Sequence, residues 1–341
     1  MSEPRKQHYI PVSLLKRFTI DNKIYVTDFI EGKQYDTSPE NVAHIRDFYR
    51  ADVTDGFDEN SIEQYFSKTE GAVKSIFDNW IKTMKRPSKQ DWSIISEFIA
   101  GMHLRGPEMR QKFLELFQYH SDLLNHYSFA TKEAYERTCK NYYQDTGKEI
   151  CIKYEEMKKI IEDPSCLEVR LHQNLYLHQM LKLIPQIAQI ISQMTPWLFI
   201  ATGKSRFITS DNPVILLDAN KNKPPYIGSG WLTKTIEVYF PLTPFTCICL
   251  MWDREYQVLP FSDLCVSAVN SHLAWFSTRY IFSVSNNICW RKNNKIHSDM
   301  DKLFDEMSPS KKDRPLGLVS GPIPQVQRPF SLNKIRKSNF K

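Results

Sequence analysis

Glycine is scarce in this 341-residue chain, eleven residues in all, which excludes collagen-like and Gly-rich low-complexity classes. The catalytic signatures built on glycine are missing as well: there is no P-loop, no dinucleotide fingerprint and no G-x-S-x-G elbow. Ser210 has no adjacent glycine to permit a strained nucleophile turn, so a Ser-His-Asp hydrolase is set aside. Cysteine is sparse and odd in number at seven, with neither CxxC nor HExxH, which argues against a disulfide framework and against a recognisable zinc site. Cys247 and Cys249 lie two apart in an apolar run and so share one face of a strand. A reducing cytoplasm is the expected setting. No stretch reaches the roughly 18 apolar residues of a membrane span. The nearest, 187–199, is interrupted by Gln, Ser, Thr and Pro. The start, MSEPRKQHYIP, carries charge without an apolar region, so no secretory signal is expected.

What the chain does have is core material. Its 41% hydrophobic and 13% aromatic content rules out a wholly disordered chain. The length fits one large domain or two small ones at about 150 residues each. The net charge of +6 is unevenly placed. Residues 308–341 hold eight Lys or Arg against one acid, Asp313, together with Pro309, Pro315, Pro322, Pro324 and Pro329. Proline at that density blocks regular helix and central strand. We therefore expect a single domain over 1–307 and a mobile basic tail over 308–341, with a polyanion-binding arm as the sharper reading of that tail.

His8-Tyr9-Ile10-Pro11 leads into a short helix entered through Pro11, and Lys23–Phe29 with Lys33–Asp36 reads as a hairpin turning at Glu31-Gly32. From 59 to 195 the pattern is helical. Ile62, Phe66, Val73, Phe77, Trp80 and Met84 form one apolar stripe, and Ser88 with Asp91 forms a capping box for the next helix. Further helices are expected at Glu108–Tyr127, Lys132–Tyr143, Tyr154–Glu162 and Glu168–Met194, the last kinked at Pro185. Beyond Pro196 strands take over, at Arg206–Thr209, Ile236–Pro241, Thr246–Trp252 and Tyr280–Val284, with a helix at Leu264–Phe276 and a turn at Gly228-Ser229-Gly230. The fold class is α+β: a helical layer, 59–195, on an antiparallel or mixed sheet built from the N-terminal hairpin and strands after 200.

Three polar features stand above this background. Glu70 falls four residues after Phe66 and three before Val73, on or beside the stripe meant for burial. Arg105 extends the apolar face of the following helix, three residues after Met102. Charges on two faces that should be buried are costly unless they meet, so Glu70 and Arg105 are expected to pair, either as a salt bridge or as the lining of a cavity. The third feature is Thr209-Ser210-Asp211-Asn212-Pro213 at a strand end, which is a turn by local chemistry and a common place for binding residues. His8 suits an acid–base role because an imidazole titrates near neutrality. Asn270 and His272 read as helix caps.

These segments together resemble an uncharacterised bacterial domain-of-unknown-function family. That family opens with His-Tyr-(Ile/Val)-Pro, here His8 to Pro11 followed by Leu14-Leu15-Lys16-Arg17-Phe18, and carries a later Thr-Ser-Asp-Asn-Pro segment. Phe240-Pro241-Leu242-Thr243-Pro244, Asn270 and Arg279-Tyr280 resemble its later stations, so the similarity spans roughly 8–283. It implies polar stations at His8, Glu70, Arg105, Ser210, Asp211, Asn212 and Asn270, and soluble bacterial members suspected of toxin-like or phage-defence roles. Gly106 departs from the pattern, which has a small polar residue there.

The leading expectation is a hydrolase acting on a phosphate-bearing substrate, a nuclease or toxin-like effector in bacterial defence. In it His8, Glu70, Arg105 and Asp211 are catalytic, and Ser210, Asn212 and Asn270 bind substrate. Arg105 would hold the anion, Glu70 would fix Arg105, His8 would act as general acid or base, and Asp211 would orient it or hold a divalent ion, the cofactor otherwise being unknown. The partner would be a nucleic acid or nucleotide. The competing expectation is a non-catalytic ligand- or nucleic-acid-binding, regulatory module that uses the same polar pocket.

Overall fold

The computed structural model describes residues 6–50, 61–162, 173–220 and 230–312. Its N-terminal segment comprises β1 (Lys6–His8), α1 (Val12–Leu15), β2 (Ile24–Asp28), β3 (Lys33–Thr37) and β4 (His44–Arg46). The helices α2 (Ser61–Thr83), α3 (Lys89–Leu104), α4 (Pro107–Phe129), α5 (Lys132–Thr146), α6 (Tyr154–Glu162) and α7 (Gln173–Ser192) come next. Then β5 (Thr195–Ala201), β6 (Thr209–Ser210), β7 (Ile215–Asp218), β8 (Ile236–Thr243), β9 (Thr246–Met251) and β10 (Gln257–Phe261) lead to α8 (Asp263–Phe276). The described chain closes with β11 (Tyr280–Ser283), β12 (Trp290–Lys292), β13 (Lys295–His297) and α9 (Met300–Lys312). This is an α+β fold.

A five-stranded sheet in the order β10-β5-β9-β8-β7 is its centre, antiparallel except where β10 runs parallel to β5. Every residue of β9 is buried, as in a strand covered on both faces. The period of two then sorts the side chains. Leu198, Val238, Phe240, Ile248 and Leu250 join α2, α3 and α7 in one apolar cluster, where the Phe98 and Phe240 rings lie 6.2 Å apart. Trp197, Phe199, Tyr239, Cys247 and Cys249 face the other way, onto Val266, Val269 and Leu273 of α8. The two cysteines thus share one face, as their spacing requires. Pro260 is tolerated because β10 lies at the sheet's edge.

The N-terminal hairpin β2–β3 enters a second, four-stranded sheet in the order β3-β2-β11-β6. Its turn is held by Asp28, whose Oδ1 accepts the N–H groups of Ile30 and Glu31 at 3.0 Å, and by Gly32 at a φ of 70°. Ser88 caps α3 as expected: its Oγ accepts the Asp91 N–H at 3.1 Å, and the Asp91 carboxylate turns back to accept from the Ser88 hydroxyl at 2.8 Å. Pro185 lies inside α7, and residues 168–172 of that predicted helix, like most of the predicted turn at 228–230, lie outside the described residues. So does the basic segment beyond Lys312; α9 itself continues through Pro309.

The predicted strand Arg206–Thr209 is regular only at Thr209–Ser210. Upstream, the Phe207 N–H goes to the Pro244 carbonyl at 2.9 Å and the Ile208 N–H to the Asn270 side chain at 3.1 Å, so this backbone is satisfied without a ladder. The strands β1 and β4 are three residues each and pair with one another, too short for alternation to reveal them. Among the described residues no helix is long and apolar enough to cross a membrane. Leu250→Ala, at the centre of the two-sided sheet and fully buried, should cost about 2–5 kcal/mol in urea denaturation. Leu232→Ala, at 69% exposure, should stay within about 0.5 kcal/mol in the same measurement.

Candidate functional site

Arg105 ends α3 and is 1% exposed. Its Nε donates to the Tyr9 carbonyl at 2.7 Å and its Nη1 to Glu70 Oε1 at 2.8 Å, while its guanidinium carbon stands 4.9 Å from the centre of the Phe66 ring. Its own carbonyl accepts from the Tyr49 hydroxyl at 3.1 Å. Nη2 is buried and has no hydrogen-bond partner among the described residues. The pairing expected from two helix faces is therefore formed, with the Glu70 side chain still 24% exposed.

That exposed side of Glu70 lines a cleft of about 210 Å³, shared with Gln7, His8, Tyr49, Glu63 and Phe66. The elements around it deliver these groups for plain reasons. Antiparallel pairing of β1 with β4 sets the two faces of the Gln7-His8 segment. Gln7, 5% exposed, donates from Nε2 to Glu63 Oε2 at 3.1 Å and accepts the Tyr49 N–H on Oε1. Nε2 of His8 lies 3.2 Å from the Glu40 carbonyl; in the tautomer that donates there, Nδ1 is left as an acceptor. Burial holds the His8 pKa below its ordinary 6.5, the Glu40 carbonyl partly opposing and the neighbouring His44 reinforcing. The imidazole is therefore neutral at pH 7.

Asp211 behaves differently. At 4% exposure its carboxylate accepts three backbone N–H groups, from Thr278 at 2.8 Å, Arg279 at 2.6 Å and Tyr280 at 2.9 Å, and so braces the passage from α8 into β11. Ser210 Oγ accepts from the Asn212 N–H at 3.1 Å. Asn212 Nδ2 donates to Glu108 Oε2 at 2.8 Å and to the Phe276 carbonyl at 3.2 Å. Asn270 sits inside α8 rather than at a cap. Its Oδ1 takes the Ile208 N–H and its Nδ2 donates to the carbonyls of Arg206 at 2.8 Å and Cys289 at 2.9 Å. His272 is likewise inside α8.

The seven predicted residues thus fall into two groups and one outlier. His8 and Glu70 line the cleft, and Arg105 is buried behind Glu70 and holds it from the protein side. Ser210, Asp211 and Asn212 form a loop tied to the start of α4, where a methyl placed on Gly106 would stand 3.5 Å from the Asp211 carbonyl oxygen. Tyr9 joins the two, since its carbonyl holds Arg105 and its buried hydroxyl is pushed well above the ordinary range by burial first and then by Asp211. Asn270 lies apart, stapling loops to α8. None of Arg105, Ser210, Asp211, Asn212 and Asn270 lines the cleft. Gly106 proves to be the N-cap of α4 with no side-chain cap bond, which explains a small polar residue in the pattern it departs from. Sequence reasoning missed Glu63 and Gln7. Glu63 stands seven residues before Glu70, two helical turns away on the same face, and that spacing was the available signal. Among the described residues no group of three or more His, Cys, Asp or Glu is placed to hold a metal ion.

The family model described as "Protein of unknown function (DUF4238)" matches residues 6–287, and the chain belongs to that family. No curated protein and no solved structure matches the chain. The matched span includes the cleft residues, the 209–213 loop and Asn270 alike.

Glu70→Ala leaves the Arg105 charge buried and uncompensated and should cost about 3 kcal/mol, whereas Glu70→Gln, which keeps an acceptor, should cost less. Asp211→Ala should cost at least about 3 kcal/mol by stranding three backbone donors. Equilibrium urea denaturation of the three variants checks both statements.

Proposed function

We propose that the chain is a hydrolase acting on a phosphate-bearing substrate, with a nuclease or toxin-like effector in bacterial defence as the form to test first. The observation that carries this reading is the placing of a neutral, half-buried imidazole and an anchored carboxylate around one cleft. His8, aligned by the Glu40 carbonyl, takes the proton from an attacking water through its free ring nitrogen. The Glu70 carboxylate, held by Arg105, offsets the positive charge that the imidazole gains in that step. Ser13 and Ser67, also in the cleft wall, supply hydroxyl donors for a phosphoryl oxygen. The phosphate-bearing class is supported by the charge of the sequence, whose Lys and Arg excess lies after residue 307. Asp211 contributes to this reading by bracing the scaffold, because its oxygens are already committed to backbone donors.

A non-catalytic binding module is the second reading. It is favoured by the commitment of Ser210, Asp211, Asn212 and Asn270 to local polar networks, an arrangement suited to rigidity. Turnover separates the two. On single-stranded RNA, single-stranded DNA and nucleotides, His8→Ala should lower kcat at least about a hundredfold with little change in the thermal midpoint. The working form of His8 is the neutral one, and its pKa is depressed. Activity should therefore hold down to the ordinary imidazole value of about 6.5 and fall only below it. Turnover in His8→Ala equal to that of the parent chain would overturn the assignment, and binding without any turnover would favour the second reading.

A further inference from the structure

The ribbon formed by β1 and β4 has one chemically uniform face. In its register Lys6 stands opposite Arg46 and His8 opposite His44. Because strand side chains alternate, these four share a face, while Gln7 and Ile45 occupy the other. The imidazoles of His8 and His44 meet edge to face with centroids 5.2 Å apart. Lys6 is exposed, and the Arg46 side chain is 64% exposed. Like charges set directly opposite one another weaken a strand pair, so the Lys6–Arg46 pairing is unfavourable in the free chain and is relieved by a bound polyanion.

The acids nearby leave this face basic. Glu40, whose carbonyl aligns His8, places its carboxylate 2.7 Å from Lys16. Glu70 is paired with Arg105, and Glu63, which keeps its charge, bonds to Gln7 on the opposite face of the ribbon. Asp47, 3.5 Å from Arg46, is the acid at the ribbon's end and offsets one cation in part. We propose that this ribbon face binds the phosphate backbone of single-stranded nucleic acid and leads it to the cleft at His8. The binding stands on the ribbon alone; the delivery of substrate rests on the hydrolytic reading of the cleft given above.

The face also has a pH sign. Burial lowers the pKa of both imidazoles; Lys6 pushes His44 lower and the Asn41 carbonyl opposes, while at His8 the Glu40 carbonyl and Glu70 oppose and Arg105 reinforces. Both rings are neutral at pH 7, and a phosphate seated against them favours their charged forms. Nucleic acid therefore binds with proton uptake and holds more tightly as pH falls from 7.5 toward 6.

The test is fluorescence anisotropy of a labelled oligo(dT) with the full chain, titrated with salt and at several pH values. Lys6→Gln with Arg46→Gln should weaken binding about tenfold and reduce the log–log salt slope by about 1.4, the contribution of two contacts on a single strand. The same double variant should melt no lower than the parent chain, since it removes an opposed like-charge pair. His44→Asn should flatten the pH dependence. Parent-like binding and salt slope in the double variant would overturn the proposal, as would the absence of salt-dependent binding by the parent chain. Binding that follows these rules without cleavage overturns only the hydrolytic reading; cleavage that is indifferent to Lys6 and Arg46 overturns only the ribbon.

Discussion

A guanidinium buried to 1% exposure is costly unless its charge is paired and most of its donors are taken up. Arg105 meets that demand with groups from separate parts of the chain: the Tyr9 carbonyl after β1, the Glu70 carboxylate on α2, and the face of the Phe66 ring. Tyr49 closes the arrangement from the segment after β4 by donating to the Arg105 carbonyl. One side chain therefore fixes the N-terminal ribbon against the helical layer. Glu70, held by Arg105, keeps part of its surface on the cleft beside His8 and Glu63.

The scaffold behind this contact is stiff for a different reason. The central sheet is covered on both faces, so β8 and β9 read as nearly continuous apolar runs with no solvent side to slip toward. Polar side chains that enter this interior do so to satisfy backbone groups that the ladder leaves over. Asn270 closes carbonyls and an amide around the 206–208 segment, and Asp211 gathers three amides at the start of β11. Both residues are held in place by the donors and acceptors they satisfy, which separates them in role from the cleft residues despite their similar chemistry.

Much of the architecture was legible because it follows from short-range rules. The 3.6-residue stripe of α2, the Ser88–Asp91 cap and the Asp28–Gly32 turn all depend on residues within a few positions of one another. The Glu70–Arg105 pairing was also legible, since a charge on each of two consecutive apolar faces has few other ways to be accommodated. The ribbon was not. Three-residue strands carry too little alternation to be recognised, and nothing near Lys6 in sequence announces that it will lie opposite Arg46. Glu63 was hidden for a related reason, because a carboxylate on a mostly exposed helix flank looks solvated until Gln7 is seen bonded to it.

The roles of the polar stations divide along the same line. Sequence by itself determined the α+β class, the helical layer, the strand-rich half that follows, and the set of polar residues standing where apolar ones belong, because periodicity and local capping act over one or two turns of chain. Only the tertiary structure decided which of those residues face a cleft and which serve the backbone. That choice depends on hydrogen-bond partners 35 to 96 positions away, such as Glu70 and Tyr9 for Arg105, and a bond of that reach is formed by the packing of whole elements.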